Sequence, residues 1–426
     1  MQVPGEVLEE ASRAQRAAAL ASEEVVRLIA GPGAGKSRVI RDRVLWLSRT
    51  VDPERIGVVS FTRASAADLQ TEIQRAWTEA GSDEPCRVRV STLHSLALRI
   101  LRGAGQLSAV FPVPPRVLDS WEMAAIFDSE FGEVSGERSK VRREDIRRDH
   151  EAFWSTGTRL PPGLPRPMPP ITDSERNGLE AYYFSRSALY CYLLPSDITR
   201  RCLEYLQAMP ADSGLPIQLT HLIVDEYQDL NSVDLRLIDE IHQRGVKLFV
   251  AGDDDQSIYF FRYAMPEGIQ GFGQKYPASA LHVMRHCFRC PDELLRPAIR
   301  LMESYSPETR IPKDYVAVPS VATPPIVGKI DRWSFRGHRQ EADAIATSCA
   351  ALIQQDFPAD NIAILLSSRP ALERAVVQSL DVAGVAYELT TDSERFVDAP
   401  SGRAAYGLIR FALDPDDFVA LRTLVG

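Results

Sequence analysis

Short runs of apolar residues alternate with longer amphipathic stretches along the first half of the chain. Each apolar run ends where polar or glycine residues begin, which is typical of buried parallel strands. The five runs cover residues 25–30, 56–61, 88–92, 222–225 and 247–252. Helical patterns follow the first three, at 37–47, 65–76 and 95–101. This alternation predicts a doubly wound α/β fold with a parallel sheet, in which ligands bind at the carboxyl ends of the strands.

The alternation is interrupted between about residue 102 and residue 208. Because this stretch is too long for a loop, we expect an inserted, mainly helical domain at 106–208 within a first domain made of 1–105 and 209–280. The segment at 161–170, which carries six prolines, predicts an extended connector. The mixed charges at 140–149 favour a solvated helix face, with nucleic-acid contact as the alternative.

A second proline-rich stretch, from Pro307 to Pro325, precedes another α/β pattern. Apolar residues at helical spacing predict two helices, and the run 362–366 predicts a strand between them. The residues that define the helices are Ile345, Cys349, Leu352 and Ile353, then Leu372, Val376 and Leu380. We therefore expect a second α/β domain over 281–426.

Composition excludes several classes of protein. The 426 residues are 45% hydrophobic and 25% charged, a globular balance that argues against a disordered, collagenous or coiled-coil chain. No apolar run reaches the ~18 residues of a membrane helix, and the acidic amino terminus predicts no secretory signal. Six cysteines without a disulfide-framework spacing favour a reducing, cytoplasmic location. The net charge of −9 argues against a tail-type nucleic-acid binder but allows a local basic groove.

The segment AGPGAGKS at 30–37 stands between a predicted strand and a predicted helix, where a phosphate-binding loop belongs. Its glycines allow backbone N–H groups to point at phosphate oxygens, and the helix adds the positive end of its dipole. Lys36 would reach the β- and γ-phosphates, and Ser37 would bind Mg²⁺. Ala30 departs from the strict pattern, which has glycine there, and a chance glycine-rich turn is the alternative. The residues assigned to nucleotide binding here are Ala30, Gly31, Pro32, Gly33, Ala34, Gly35, Lys36, Ser37 and Arg38.

A second acidic motif, LIVDEYQD at 222–229, places Asp225 and Glu226 at the end of a predicted strand. Asp225 is suited to hold Mg²⁺ through water, and Glu226 to orient and deprotonate an attacking water. Adjacent acids that only cap a helix are the alternative. Together with the loop, this motif predicts hydrolysis of a nucleoside triphosphate.

The segment AGDDDQSIYFFR at 251–262 follows the fifth strand. Its three consecutive aspartates would repel one another unless cations or helix amides share the site. Gln256 is suited to sense a γ-phosphate by hydrogen bonding. Tyr259, Phe260 and Phe261 offer stacking faces beside the Arg262 cation, the combination used by proteins that bind single-stranded nucleic acid, although an aromatic trio is more often part of a core.

Five segments in this order resemble the motifs of UvrD/Rep-like superfamily 1 DNA helicases. They are AGPGAGKS (30–37), FTRASAADL (61–69), STLHSLALRIL (91–101), VDEYQDLN (224–231) and GDDDQSIYFFR (252–262). The resemblance implies a RecA-like P-loop fold that uses ATP and Mg²⁺ on single-stranded DNA or a junction of single and double strands. In that family alanine is common at the Ala30 position.

The resemblance also implies roles for further residues. Gln15 corresponds to the glutamine that reads adenine in this family. Residues matching DNA-contact positions are Phe61, Thr62, Arg63, Thr92 and His94, and Phe261 stands where the family usually has a base-stacking tryptophan. A core histidine is the alternative for His94. Tyr263 replaces a usual glycine.

The segment HCFRCPDELL at 286–295 is a looser match to a further family motif. It implies that Phe288 stacks on adenine and that Arg289 is an arginine finger directed at the γ-phosphate. Cys287 and Cys290 form a CxxC pair, but Cys191 and Cys202 have the wrong spacing to complete a metal site, so we expect none.

The last two motifs of the family are absent, so the resemblance implies an incomplete second RecA-like domain. A partner that completes it, a truncated product and a reduced fold remain alternatives. Two functions follow from the resemblance. One is an ATP-driven translocase or helicase of 3′-to-5′ polarity; the other is a DNA-bound ATPase switch or assembly subunit that regulates a partner, such as a nuclease in repair or antiphage defence.

Overall fold

A computed structural model of the chain describes residues 4–81, 84–159, 167–210, 212–305, 308, 310–318, 327–366, 370–389, 396–397 and 399–425. The chain divides into two compact units. The first contains Met1–Gly328 and Gly407–Gly426, and the second is Lys329–Tyr406. Among the described residues, none of the helices is long and apolar enough to cross a membrane.

A six-stranded parallel sheet organises the first unit, in the order β3-β2-β6-β7-β1-β8. Its strands are β1 Val25–Ala30, β2 Ile56–Ser60, β3 Arg89–Thr92, β6 His221–Val224, β7 Lys247–Gly252 and β8 Ala280–Met284. All five predicted strands are confirmed. The sixth, β8, pairs with β1 at the sheet edge, where Leu281 is about half exposed, and it lacks the continuous apolar run of a buried strand.

Helices cover both faces of this sheet because alternate residues of each strand point to opposite sides. On one face, Val26 and Leu28 pack with Val39, Ile40 and Val44. On the other face, Val25 and Ile29 belong to a core with Leu96, Ile100 and Leu237. The helices around the sheet are α1 Pro4–Ala19, α2 Lys36–Leu47, α3 Arg63–Glu79, α4 Leu93–Gly103, α10 Ser232–Gln243, α11 Glu267–Gln270, α12 Phe272–Lys275 and α13 Asp292–Tyr305.

The stretch between α4 and β6 is mainly helical, as predicted. Its helices are α5 Ser120–Glu122, α6 Asp128–Ser135, α7 Lys140–Thr156, α8 Asp173–Tyr190 and α9 Pro195–Ala208, with a π-helical segment at Met123–Phe127. Two short strands, β4 Arg116–Val117 and β5 Tyr192–Leu193, pair in parallel. Phe127, Trp154 and Tyr183 form the centre of a separate apolar core. Part of the predicted proline-rich connector, 160–166, lies outside the described residues.

The second unit contains α14 His338–Gln354 and α15 Pro370–Ala383. Both predicted helices are confirmed, and Cys349, Leu372, Val376 and Leu380 form their shared core. The strand predicted at 362–366 is wrong for the described residues, because this segment pairs with no other described strand. Two helices follow near the carboxyl end: α16 Pro400–Leu413 begins in the second unit and ends in the first, and α17 Phe418–Val425 belongs to the first unit.

The boundary between the compact units falls at Gly328, later than the predicted boundary at 280/281. The reason is that β8 completes the main sheet and β9 His286–Cys287 pairs with β10 Val316–Ala317 inside the first unit. The assignment of functional domains stays a prediction.

Candidate active site

The loop between β1 and α2 curls through two left-handed glycines, Gly33 with φ 64° and Gly35 with φ 86°. Other residues adopt this backbone region only with strain. Helix α2 begins at Lys36, so its free N–H groups face the loop. This arrangement suits an anion such as a phosphate group.

Lys36 lies between the two acids at the end of β6. Its Nζ is 3.3 Å from Asp225 Oδ1 and also forms an ion pair with Glu226. Burial alone would lower the pKa of Lys36, but the two carboxylates outweigh burial and raise it, so Lys36 is charged. Burial would raise the pKa of Glu226, but Lys36 outweighs it and lowers this pKa. Glu226 therefore carries the negative charge that a general base requires.

Glu226 occupies an unusual backbone position. Its φ of 53° lies in the left-handed region, just before a short 3-10 helix at Tyr227–Asp229. A non-glycine residue there is strained, and such strain clusters at functional sites. The turn leaves about 30% of the Glu226 side chain exposed, whereas Asp225 is 9% exposed.

The residues predicted to hold Mg²⁺ fit such an ion. Burial raises the pKa of Asp225, and Lys36 acts in the opposite direction. Its buried Oδ1 faces the Lys36 ammonium at 3.3 Å but accepts no well-aligned hydrogen bond from the described residues, so this oxygen can also face a cation beside the loop. Ser37 lines the adjoining cleft with its exposed hydroxyl. A carboxylate and a hydroxyl are the oxygen ligands that Mg²⁺ prefers.

An open cleft of about 380 Å³ runs along the loop. Four of the five residues predicted to be catalytic line it: Lys36, Glu226, Gln256 and Arg289. The loop residues that line it are Ala30, Gly31, Gly33, Ala34, Gly35, Ser37 and Arg38. Pro32 does not line the cleft. Arg41 and Arg75, which the sequence reasoning missed, add two cations to its wall.

Arg289 and Phe288 reach the loop through their backbones. The Phe288 N–H donates a hydrogen bond to the Gly33 carbonyl at 3.0 Å. A Cβ at Gly33 would lie 2.5 Å from the Cβ of Arg289, so only glycine allows this approach. Phe288 is 45% exposed, which leaves its ring accessible. The proposed roles of both side chains stay predictions.

Gln15 lies on the other side of the loop. Its Nε2 donates to the Ala34 carbonyl at 2.9 Å, and the residue is 7% exposed. Gln15 and Arg38 also line a second cleft, of about 530 Å³, between α1 and α2. This position beside the loop is compatible with the predicted contact between Gln15 and adenine, which stays a prediction.

Hydrogen bonds join the ends of β6 and β7. Gln228 Nε2 donates to Glu226 Oε2 at 2.9 Å, and Gln228 Oε1 accepts from the Asp253 N–H at 3.1 Å. Asp253 Oδ2 accepts in turn from Gln256 Nε2 at 2.8 Å. A continuous path therefore connects the predicted base to the predicted phosphate sensor.

Cations share the site of the three aspartates, as their mutual repulsion required. Lys313 pairs with Asp253 and Asp254, and Arg310 makes a two-pronged ion pair with Asp255 at 2.7 and 2.8 Å. These are the carboxylates close enough to share a metal ion among the described residues, but Lys313 already lies among them. Sequence reasoning missed Arg310, Lys313 and Gln228, because their partners lie up to 60 positions away or on the next strand.

Four of the residues predicted to contact DNA form one aromatic and cationic cluster. The Phe61 and Tyr259 rings lie 4.7 Å apart, and those of Tyr259 and Phe261 lie 5.8 Å apart. Arg262 Cζ is 4.8 Å from the Phe61 ring centre. Phe261 is 59% exposed, which contradicts the alternative that it is a core residue. The cluster offers an open π-face beside a cation.

The other residues predicted to contact DNA are Thr62, Arg63, Thr92 and His94, and two of them cap helices. Thr62 caps α3 by accepting from the Ser65 N–H at 3.0 Å, and Thr92 caps α4 by accepting from the Ser95 N–H at 3.3 Å. Arg63 is 77% exposed and lies 3.5 Å from Asp119. Burial lowers the pKa of His94, and although Asp234 opposes this shift, Arg262 and Arg63 add to it.

Tyr263 stands in the left-handed region, with φ 66°, where the resembling family has glycine. Its hydroxyl donates to the Arg148 carbonyl at 3.1 Å. This hydrogen bond joins the aromatic cluster to α7 of the helical insertion.

The mixed-charge helix α7 differs from its prediction. Arg147 is largely buried and pairs with Asp128 at 2.8 Å, and Asp149 accepts from Arg176 at 2.8 Å. Arg147 and Asp149 of α7 therefore face other parts of the helical insertion rather than solvent.

Comparisons with known proteins agree with this geometry. A family model described as an AAA domain matches residues 14–262, more than half of the chain. DNA helicase II of Haemophilus influenzae is 24% identical over 410 residues, which cover 93% of this chain and 53% of that protein. DNA helicase II of Escherichia coli is 27% identical over 302 residues, which cover 68% of this chain and 40% of that protein. The ATP-dependent DNA helicase srs2 of Schizosaccharomyces pombe is 22% identical over 432 residues, which cover 96% of this chain and 47% of that protein.

The chain spans about half the length of the curated relatives it matches. Its matched region contains the phosphate loop, the paired acids and the aromatic cluster in one sheet-based unit. The chain therefore contains an AAA domain and belongs to the UvrD/Rep-like family of DNA helicases.

Proposed function

We propose that this chain hydrolyses Mg·ATP and couples that hydrolysis to movement on single-stranded DNA, as a translocase or helicase. The observation that supports it is the path Glu226–Gln228–Asp253–Gln256, which joins the cleft to the loop carrying Tyr259 and Arg262. Tyr259 follows Gln256 by only three positions. A movement of Gln256 in response to the phosphates would therefore be transmitted to the DNA-contact cluster through only three residues of backbone.

The nucleotide side follows from the cleft residues. Lys36 exchanges its carboxylate partners for phosphate oxygens, and the loop N–H groups hold the rest of the triphosphate. Ser37 and Asp225 would hold Mg²⁺, which would supply positive charge that neutralises the triphosphate. Glu226, freed from Lys36, accepts the proton of the attacking water. Arg289, on the cleft wall, adds positive charge where negative charge builds up.

The DNA side follows from the exposed rings. Phe261 offers a π-face to a base, while Arg262 and Arg63 offer charges to phosphates. Thr62 and Thr92 lie at helix N-termini, where free N–H groups also favour phosphate. A groove of this kind binds DNA locally although the whole chain carries a net charge of −9.

The finer activities are part of the same proposal. They are 3′-to-5′ polarity, action at a single-strand/double-strand junction, and cooperation with a protein partner. The names of the relatives support the coarser point, a DNA helicase, and the three finer points rest on the resemblance of the motifs.

The test is ATP hydrolysis by the full chain with and without a single-stranded oligonucleotide. We expect the oligonucleotide to raise turnover, and Lys36→Ala to abolish it. Turnover that ignores DNA would contradict the coupling. Strand displacement on a 3′-tailed duplex then separates a helicase from an ATPase switch, because a switch hydrolyses ATP without displacing the strand.

A further inference from the structure

A fully buried lysine lies behind the candidate active site. The side chain of Lys313 is 0% exposed, and its Nζ is 2.5 Å from Asp253 Oδ1 and 3.2 Å from Asp255 Oδ2. It also pairs with Asp254. Burial would lower the pKa of Lys313, but the carboxylates outweigh burial and raise it. A buried charge is retained only when it is closely paired, so Lys313 is a fixed part of the β7 end.

Among the described residues, the segment around Lys313 supplies both cations that form ion pairs with this cluster. Arg310 binds Asp255 through both nitrogens, and the Ile311 N–H donates to Asp254 at 2.8 Å. Three carboxylates therefore face two cations, which leaves a formal charge of −1.

Asp253 connects this segment to Gln256. Its Oδ1 binds Lys313, while its Oδ2 accepts from Gln256 Nε2 and from the Tyr315 hydroxyl, both at 2.8 Å. An ionised carboxylate only accepts hydrogen bonds, so the amide group of Gln256 must face it with its nitrogen. The Gln256 oxygen and its second amide proton are then left for the cleft that Gln256 lines.

The same segment touches the phosphate loop and the strand before Arg289. A Cβ at Gly31 would lie 2.1 Å from the ring of Tyr315, so this ring packs directly on the loop backbone. The Val316 N–H donates to the Arg285 carbonyl at 2.9 Å, and the Val318 N–H donates to the Cys287 carbonyl at 2.8 Å. Residues 310–318 therefore link the loop, the aspartates and the start of the Arg289 segment within one compact unit.

We propose that Lys313 and Tyr315 are positioning residues for ATP hydrolysis, which act by fixing the Asp253 carboxylate and through it the amide of Gln256. This inference rests on the proposed ATPase function. It assigns the two residues no contact with nucleotide, so they affect turnover through Gln256 and leave ATP binding unchanged.

The first variant is Tyr315→Phe, which removes one hydroxyl and keeps the ring on Gly31. Loss of one hydrogen bond to a carboxylate should lower kcat on the order of three- to tenfold. The KM for ATP should not change. Lys313→Met should lower kcat further, and a thermal unfolding scan shows whether that variant still folds.

The chain offers a matched control. Tyr276 donates to Asp239 and Lys275 pairs with the same carboxylate, so the same three residue types meet away from the cleft. Tyr276→Phe and Lys275→Met should leave kcat unchanged. A general loss of packing would instead affect both sets of variants.

A double-mutant cycle separates positioning from a structural role. In a Gln256→Ala background, Tyr315→Phe should have no further effect on kcat, because its target is gone. An equal loss in both backgrounds, a raised KM with normal kcat, or no loss at all would overturn the inference while the ATPase function stands. Absence of turnover in the wild-type chain would overturn both proposals.

Discussion

The Gln228 side chain donates a hydrogen bond to the Glu226 carboxylate at 2.9 Å. Its carbonyl oxygen accepts from the Asp253 N–H, so one side chain joins the ends of two neighbouring strands. Gln228 is 1% exposed and cannot exchange these partners for water. The orientation of the predicted base is therefore tied to the strand that carries Gln256.

Gln228→Met tests this connection. Methionine has a similar volume but makes neither hydrogen bond, so we expect ATP turnover to fall by about tenfold with ATP affinity retained. Steady-state hydrolysis and titration with a fluorescent nucleotide measure the two quantities. The control is Gln74→Met, because Gln74 also accepts from a backbone N–H, that of Cys86 at 3.0 Å, but lies outside the cleft. Equal losses in both variants would remove the special role of Gln228.

Phe261→Ala should weaken binding of single-stranded DNA while leaving ATP binding intact. A base stacked on an aromatic ring contributes about 1–3 kcal/mol, which corresponds to roughly 5- to 150-fold in Kd. Fluorescence anisotropy with a labelled oligonucleotide measures this change. Phe260 is also exposed, at 48%, but has no ring neighbour among the described aromatic pairs, so Phe260→Ala should have a much smaller effect. The opposite ranking would show that the stacking face is misassigned.

The stability of the first unit should depend on the protonation of Asp229. Burial raises the pKa of this carboxyl to about 7, and Glu226 acts in the same direction. The folded state therefore binds a proton more tightly than the unfolded state, whose pKa is near 3.8. Its contribution to the free energy of unfolding falls as pH rises from about 4 to about 7, and then levels off.

Asp229→Asn removes this titration. Urea unfolding at several pH values, in EDTA, should show a shallower fall in stability for the variant over that window than for the wild type. Parallel pH profiles would show that Asp229 has an ordinary pKa.

A buried ion-pair network should stabilise the carboxyl-terminal helices against the insertion. Arg410 pairs with Glu122 and with Asp417 at 2.9 Å, and Asp417 also accepts from Arg116 at 2.8 Å. Glu122 and Asp417 are 0% and 1% exposed. Arg410→Met leaves both acids without this partner, so the free energy of unfolding should fall by about 3–5 kcal/mol.

Arg422→Met is the control for Arg410→Met, and chemical denaturation measures the free energy of unfolding of both variants. Arg422 lies 3.4 Å from Glu130, but Glu130 keeps a second partner in Arg186 at 2.9 Å. We expect a loss below about 1 kcal/mol. Similar losses in the two variants would contradict the assigned role of burial.

Local patterns were sufficient for the strands and helices that bury continuous apolar runs. Val25–Ala30 and Lys247–Gly252 are such runs, and their ends carry the loop and the three aspartates. The edge strand β8 was missed because half-exposed residues such as Leu281 give a weak pattern. The strand at 362–366 was wrong for the described residues, because an apolar run becomes a strand only when another strand pairs with it, and none of the described strands does.

The site shows the same limit. Lys36, Asp225 and Glu226 stand in recognisable motifs, so their proximity could be predicted. Lys313 stands in no such motif, and its contact with Asp253 spans 60 positions. The repulsion among the aspartates predicted that cations or helix amides share their site but could not say which residues supply them. Arg147 was expected in solvent because a charge pattern does not reveal a buried partner such as Asp128.

The central claim is that Glu226 is the base for ATP hydrolysis coupled to DNA. Single-turnover hydrolysis by Glu226→Gln, at saturating single-stranded DNA, tests it most directly when ATP and DNA binding are measured on the same preparation. We expect the variant to bind both ligands as the wild type does and to lose turnover by several orders of magnitude. Hydrolysis at the wild-type rate, with binding intact, would contradict the claim.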